Sequence, residues 1–213
     1  MKHFNIKTRV MSTALVAGAL CSSLLAGCGS STAQVAPSTQ EAPAQAEVAA
    51  VAHVASDDAN AYGYTNLTSF SAQTMDGKTF TNEDLAKADV TIINFWGSYC
   101  GFCIEEMPHI AQWEKTLPSN VQVITVCTDY DSDPESAKDF LREAGFAGTT
   151  LVAGTGDFER LSDEVMYLPT TLAVDSSGRI VGVYDGYAKD VPSAFGGLVN
   201  DALAAQGKSA AHV

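Results

Sequence analysis

The sequence predicts an α/β domain: a mixed sheet flanked by helices, with an additional N-terminal β-hairpin. Three observations carry this. Residues 90–96, Val-Thr-Ile-Ile-Asn-Phe-Trp, form a nearly continuous apolar, β-branched run, the pattern of a strand buried on both faces. Such runs alternate with helical segments from residue 62 to about residue 206. Two later runs, 170–174 and 179–184, are joined by a short turn at residues 175–178.

In chain order, residues 67–72 and 78–81 read as a hairpin turned by Asp76-Gly77. Residues 82–87 start a short helix, with Glu83 and Asp84 in its first turn. Strand 90–96 should be central. A helix from about Gly101 to Leu117 follows, with a kink expected at Pro108. Residues 121–128 form a second buried strand. Asp133-Pro134 supplies an N-cap and an N1 proline for a helix reaching Ala144. No element is assigned between 145 and 169. The strands starting at 90, 121 and 170 are expected to pair in parallel through helical crossovers, and the last two strands to form an antiparallel hairpin. A final helix covers residues 192–205.

The first 27 residues lie outside this domain. Lys2, Lys7 and Arg9 precede an apolar run from Val10 to Ala26, too short to span a membrane and arranged as a secretory signal is. The run ends in Leu25-Ala26-Gly27-Cys28, which resembles the lipobox of bacterial lipoproteins. That resemblance implies cleavage before Cys28 and lipidation of its sulfur. Cys21 would leave with the signal. Residues 28–61 are rich in Ala, Ser, Thr, Gln and Pro and include no aromatic residue before Tyr62. They read as a flexible tether, because such a composition buries too little surface to offset ordering entropy. His53, within it, reads as solvated. The folded domain is expected over 62–213, its last residues disordered.

The chain carries a formal charge of −13, and beyond residue 27 nine basic groups face 25 acidic ones. A surface that negative repels nucleic acid and anionic headgroups, so membrane attachment must come from the lipid.

Cys100-Gly101-Phe102-Cys103 follows the central strand and opens a helix. At a helix N-terminus the N–H groups are unpaired, and a thiolate gains about 0.3–1 kcal/mol from the macrodipole. Cys100 is thus the expected nucleophile, and Cys103, inside the first turn, the more buried resolving thiol. Zinc would require a second Cys/His pair, which the chain lacks, so no metal or other cofactor is expected. Cys127 stands alone in a buried strand and reads as an apolar thiol; His109 reads as a surface or packing residue.

The segment from Phe95 to Pro108, containing Trp96-Gly97-Ser98-Tyr99-Cys100-Gly101-Phe102-Cys103-Ile104-Glu105-Glu106, resembles the active-site segment of the TlpA/ResA-like group. These are membrane-anchored, thioredoxin-like bacterial proteins. Leu168-Pro169-Thr170-Thr171 and Gly178-Arg179-Ile180-Val181 resemble the same group's cis-proline strand and hairpin. The resemblance spans residues 67–203. It implies a thioredoxin-like fold, a redox-active Cys100–Cys103 disulfide, and a cis Pro169 beside it where an extended substrate can pair. Trp96 and Tyr99 would shield the site. Thioredoxin has a buried acid where this chain has Asn94, and the group's glutamate after the second cysteine corresponds to Glu106. Glu106 lies three residues past Cys103, on the same helical face, where burial would raise its pKa and let it exchange protons with Cys103. Glu105 is the solvated control.

The implied function is extracytoplasmic reduction of disulfides in exported proteins, with electrons from a membrane thiol carrier of the CcdA/DsbD type. Oxidation of substrate thiols remains an alternative, since the Gly-Phe pair between the cysteines lacks a proline. A Sco-like copper chaperone would use Cys-x-x-x-Cys and a distal histidine, and no histidine lies between His109 and His212. A peroxidase would require a different setting around a single cysteine.

Overall fold

The computed structural model describes residues 53–54 and 62–213. The signal segment, Cys28 and all of the tether except His53 and Val54 fall outside the described residues. The strands are β1 (His53–Val54), β2 (Phe70–Thr74), β3 (Thr79–Thr81), β4 (Val90–Trp96), β5 (Val121–Cys127), β6 (Thr149–Gly156), β7 (Thr170–Asp175) and β8 (Ile180–Asp185). The helices are α1 (Asn82–Leu85), α2 (Gly101–Glu114), α3 (Pro134–Ala144), α4 (Asp157–Glu164) and α5 (Val191–Ala205).

These strands form one mixed sheet in the order β1-β8-β7-β4-β5-β6-β2-β3. β4 is central and buried along its whole length, as its continuous apolarity predicts. Its residues alternate between two cores: Val90, Ile92 and Trp96 pack with α2, α3 and α5, while Ile93 and Phe95 pack with α4 and the N-terminal hairpin. The sheet therefore has a helical layer on each face.

Local chemistry sets the boundaries. Thr81 and Asp84 form a capping box at α1. Asp133 accepts from the Ser136 N–H at the start of α3, with Pro134 at N1. Asp175 closes the β7–β8 turn by accepting from Ser177 and Arg179.

Two expectations are corrected. Residues 149–164 are not featureless: they form β6 and α4. The third parallel strand is β6, paired with β5, whereas β7 runs antiparallel to β4 with Asn94 opposite Thr171. β6 supplies the edge on which the hairpin docks through β2. In addition, β1 pairs antiparallel with β8, so two residues of the stretch read as tether extend the sheet.

Candidate active site

β4 ends at Trp96, and the chain turns through residues 97–100 into α2. Gly97 lets the Tyr99 and Leu168 side chains close over the turn: a Cβ would lie 2.9 Å from the Tyr99 ring and 3.3 Å from the Leu168 side chain, so those side chains would have to shift. Cys100 is the N-cap of α2, in extended conformation, and its Sγ accepts the Cys103 N–H at 3.2 Å. That bond uses one of the helix's unpaired donors on the sulfur that would carry negative charge in the reduced state. Cys100 and Cys103 are joined by a disulfide with Cα atoms 5.2 Å apart. Cys103 is buried at 1 % exposure, and Cys100 is partly open to solvent.

Glu106 sits one turn beyond Cys103 and is also 1 % exposed. Each carboxylate oxygen has one donor: the Ala188 N–H reaches Oε1 at 2.6 Å, and Asn94 Nδ2 reaches Oε2 at 3.0 Å. Burial pushes the Glu106 pKa up to about 7, and the two hydrogen bonds only partly oppose it. Glu105, one residue away, is exposed.

The Leu168–Pro169 peptide is cis. The Pro169 carbonyl accepts from the Gly186 N–H, and Thr170, next in the chain, pairs with Phe95. The β7 register thus carries Pro169 to the end of β4 at which the cysteine loop departs. Trp96 is fully buried and packs on Phe140 of α3, its ring 4.9 Å from the Phe140 ring. Tyr99 instead is 74 % exposed and lies over Gly97. Phe102, Ile104, Met166 and Tyr167 are exposed as well, and Phe102 stacks on Tyr187. Large apolar side chains therefore flank both cysteines and precede the cis proline.

Sequence reasoning missed Asp129. It follows β5 and accepts from the Ser98 N–H, the Ser98 hydroxyl at 2.5 Å and the Cys127 thiol at 3.3 Å. Burial would raise its pKa, but the bonds from Ser98 outweigh it and hold the carboxyl below its ordinary value. Asp129 thereby fixes the loop two residues before Cys100. An aspartate directly after a buried strand was the available signal. The Cys127 thiol, buried in this corner, is pushed up to about 12, so it stays protonated. His109 is exposed. Among the described residues no group of three His, Cys, Asp or Glu side chains is placed to hold a metal ion.

The chain is similar to known proteins. The Redoxin family profile matches residues 64–198. The thiol:disulfide interchange protein HelX of Rhodobacter capsulatus is 31 % identical over 102 residues, 48 % of this chain and 55 % of HelX. The DsbE homolog of Paracoccus denitrificans is 31 % identical over 137 residues, covering 62 % of this chain and 73 % of that protein. Other relatives are named ResA and YneN. The chain thus spans little more than half the length of HelX and 60 % of the ResA of Bacillus thuringiensis. Among solved structures, the thiol:disulfide interchange protein of Chlorobium tepidum superposes with a TM-score of 0.54 at 24 % identity, over 66 % of this chain and 97 % of that one. It has the same fold. With most of its folded domain matched by the family profile, this chain belongs to the Redoxin family, within its TlpA/ResA-like thioredoxin-fold group.

Proposed function

We propose that the protein is a lipid-anchored, extracytoplasmic thiol–disulfide oxidoreductase that reduces disulfides in exported proteins. The observation that carries this is the Cys100–Cys103 disulfide at the mouth of α2, with the first sulfur hydrogen-bonded at the helix N-terminus and the second buried. In the reduced protein, the Cys100 thiolate attacks one sulfur of a substrate disulfide. A mixed disulfide forms, and one substrate thiolate leaves and takes a proton from water. Cys103 then loses its proton to the Glu106 carboxylate and attacks Cys100 Sγ. This restores the Cys100–Cys103 disulfide and releases the second substrate thiolate. The two electrons come from a membrane thiol carrier of the CcdA/DsbD type, which regenerates the dithiol. The exposed Tyr99, Phe102, Met166 and Tyr167 suit apolar segments of unfolded substrates, and the backbone at Leu168 beside the cis Pro169 can pair with such a segment in extended form.

The anchor reading rests on Leu25-Ala26-Gly27-Cys28. Cys28→Ala should abolish acyl labelling and release the protein from membranes; unchanged labelling and retention would exclude it. The activity is tested by coupled reduction of a disulfide-bonded protein substrate. Cys100→Ser and Cys103→Ser should each abolish turnover. The reduction potential sets the direction: a value near about −270 mV supports a reductant, and one near about −120 mV an oxidant.

A further inference from the structure

Asn94 occupies a position where the sequence pattern calls for an apolar residue. Its neighbours on the same face of β4, Ile92 and Trp96, belong to the core beneath α2, and Asn94 itself is 1 % exposed. An amide buried there costs about 1–3 kcal/mol for any group left without a partner. One is left so: Nδ2 donates both to Glu106 Oε2 at 3.0 Å and to Thr171 Oγ1 at 2.9 Å, while Oδ1 has no partner in the structure. A valine or leucine would avoid that penalty, so the amide's value lies in what it does for Glu106.

We propose that Asn94, oriented by Thr171, is a positioning residue for proton transfer at Glu106: its amide donates to the charged carboxylate and, rotated end for end, accepts from the protonated acid. This rests on Glu106 as the proton acceptor for Cys103. When Cys103 is deprotonated, its proton becomes an O–H on Glu106. If that O–H lies on Oε2, it faces the Asn94 N–H group, donor against donor. Rotating the amide by 180° exchanges Nδ2 and Oδ1. Oδ1 then accepts from Glu106 and from the Thr171 hydroxyl, which changes from acceptor to donor. Only the amide nitrogen and oxygen exchange positions, and no charge is created or moved besides the proton. A leucine cannot donate or accept, and an aspartate would add a second charge in contact with the first.

The surroundings leave this task to Asn94. The backbone N–H of Ala188 can only donate, so it favours the charged form alone. The titratable and charged groups on the segments packed around Glu106 are Cys103, Glu105, His109 and Glu114 on α2, Asp175 on β7, Tyr184 and Asp185 on β8, and Tyr187, Lys189 and Asp190 beside Ala188. Asp185, Lys189 and Asp190 are exposed, and no charged side chain contributes to the Glu106 shift. Burial is the largest influence on that carboxyl, and the Asn94 amide is one of the two groups holding the shift to about 7. Thr171 joins the amide to β7, two residues past the cis proline.

The test is a pH titration of the Glu106 side-chain carboxyl by carbon NMR in the full domain, alongside the pH profile of single-turnover exchange with glutathione disulfide. Asn94→Leu removes one of two donors. Its Glu106 midpoint should rise by about one pH unit, with exchange at pH 7 falling several-fold, up to about tenfold. Thr171→Val keeps shape and volume but frees the amide, and should move the midpoint the same way by less. Asn94→Asp should replace one titration step by two separated ones. If Asn94→Leu does not fold, Thr171→Val and Asn94→Asp decide alone. A Glu106 midpoint unchanged in the folded variants overturns the role of Asn94. A midpoint that moves while the exchange profile stays fixed overturns proton transfer through Glu106 instead, a separate failure.

Discussion

Glu106 and Asp129 both serve the segment around the cysteines, and the fold treats them in opposite ways. Glu106 is sealed between α2 and β4 with one donor per oxygen, and burial wins: its pKa rises to about 7. Asp129 sits in a half-open corner after β5, accepts from a backbone N–H, a hydroxyl and a thiol, and its pKa falls. The difference shows that the number of donors per carboxylate, set against desolvation, decides whether an acid exchanges protons near neutrality or stays charged. The first is suited to chemistry and the second to holding the Ser98 turn in place.

The contrast can be broken from either side. Glu106 favours the protonated form in the folded chain relative to its ordinary value of 4.5. Its contribution is therefore most favourable below that value, and is lost as pH rises toward about 7. Glu106→Gln removes the buried charge, and Asn94 can turn its Oδ1 toward the new amide. The variant should be more stable than the parent by about 2–3 kcal/mol at pH 8 and no more stable at pH 4. Urea denaturation at the two pH values checks this, and a stability difference independent of pH would contradict it.

Asp129→Ala acts in the opposite sense. It leaves the Ser98 N–H and the Cys127 thiol without their acceptor and should cost about 2 kcal/mol near neutrality. Because the folded pKa is lowered, this stabilisation is present above the ordinary carboxylate pKa and disappears as pH falls through the folded value. The same denaturation series should show the parent and variant converging in acid.

Glu105→Gln is the smallest change. Its side chain is exposed and turned about 100° around α2 from Glu106, so stability and the pH profile of exchange should both match the parent within error. Equal effects from Glu105→Gln and Glu106→Gln would remove the distinction between a buried and a solvated acid.

How much of this was readable from the sequence follows the range of the interactions. Asp133-Pro134 capping α3, the hairpin at Asp76-Gly77 and the apolar β4 are local signals, and each formed where expected. β6 was missed because Gly154 and Gly156 give it the look of a loop. Its glycines answer to tertiary contacts: a Cβ on Gly154 would come within 2.5 Å of the Phe158 ring and 2.9 Å of the Ser71 carbonyl oxygen. Without β6, the strand at Thr170 was left to fill the third parallel place. Helical spacing put Glu106 on the Cys103 face, but Asn94 was read only as an acid that is absent. Its contact with Glu106 and Thr171 joins three segments 12 and 77 residues apart, which no local pattern reports. Asp129 reaches Ser98 across 31 residues for the same reason.

The central claim is the division of labour between the two cysteines, and mixed-disulfide trapping tests it most directly. Reduced Cys103→Ser, incubated with a disulfide-bonded substrate protein, should accumulate a covalent complex through Cys100 that dithiothreitol dissolves, whereas Cys100→Ser should accumulate none. In the reduced parent, Cys100 should be the faster cysteine to react with iodoacetamide. Complexes formed through Cys103, or faster alkylation of Cys103, would reverse the assigned roles and contradict the account.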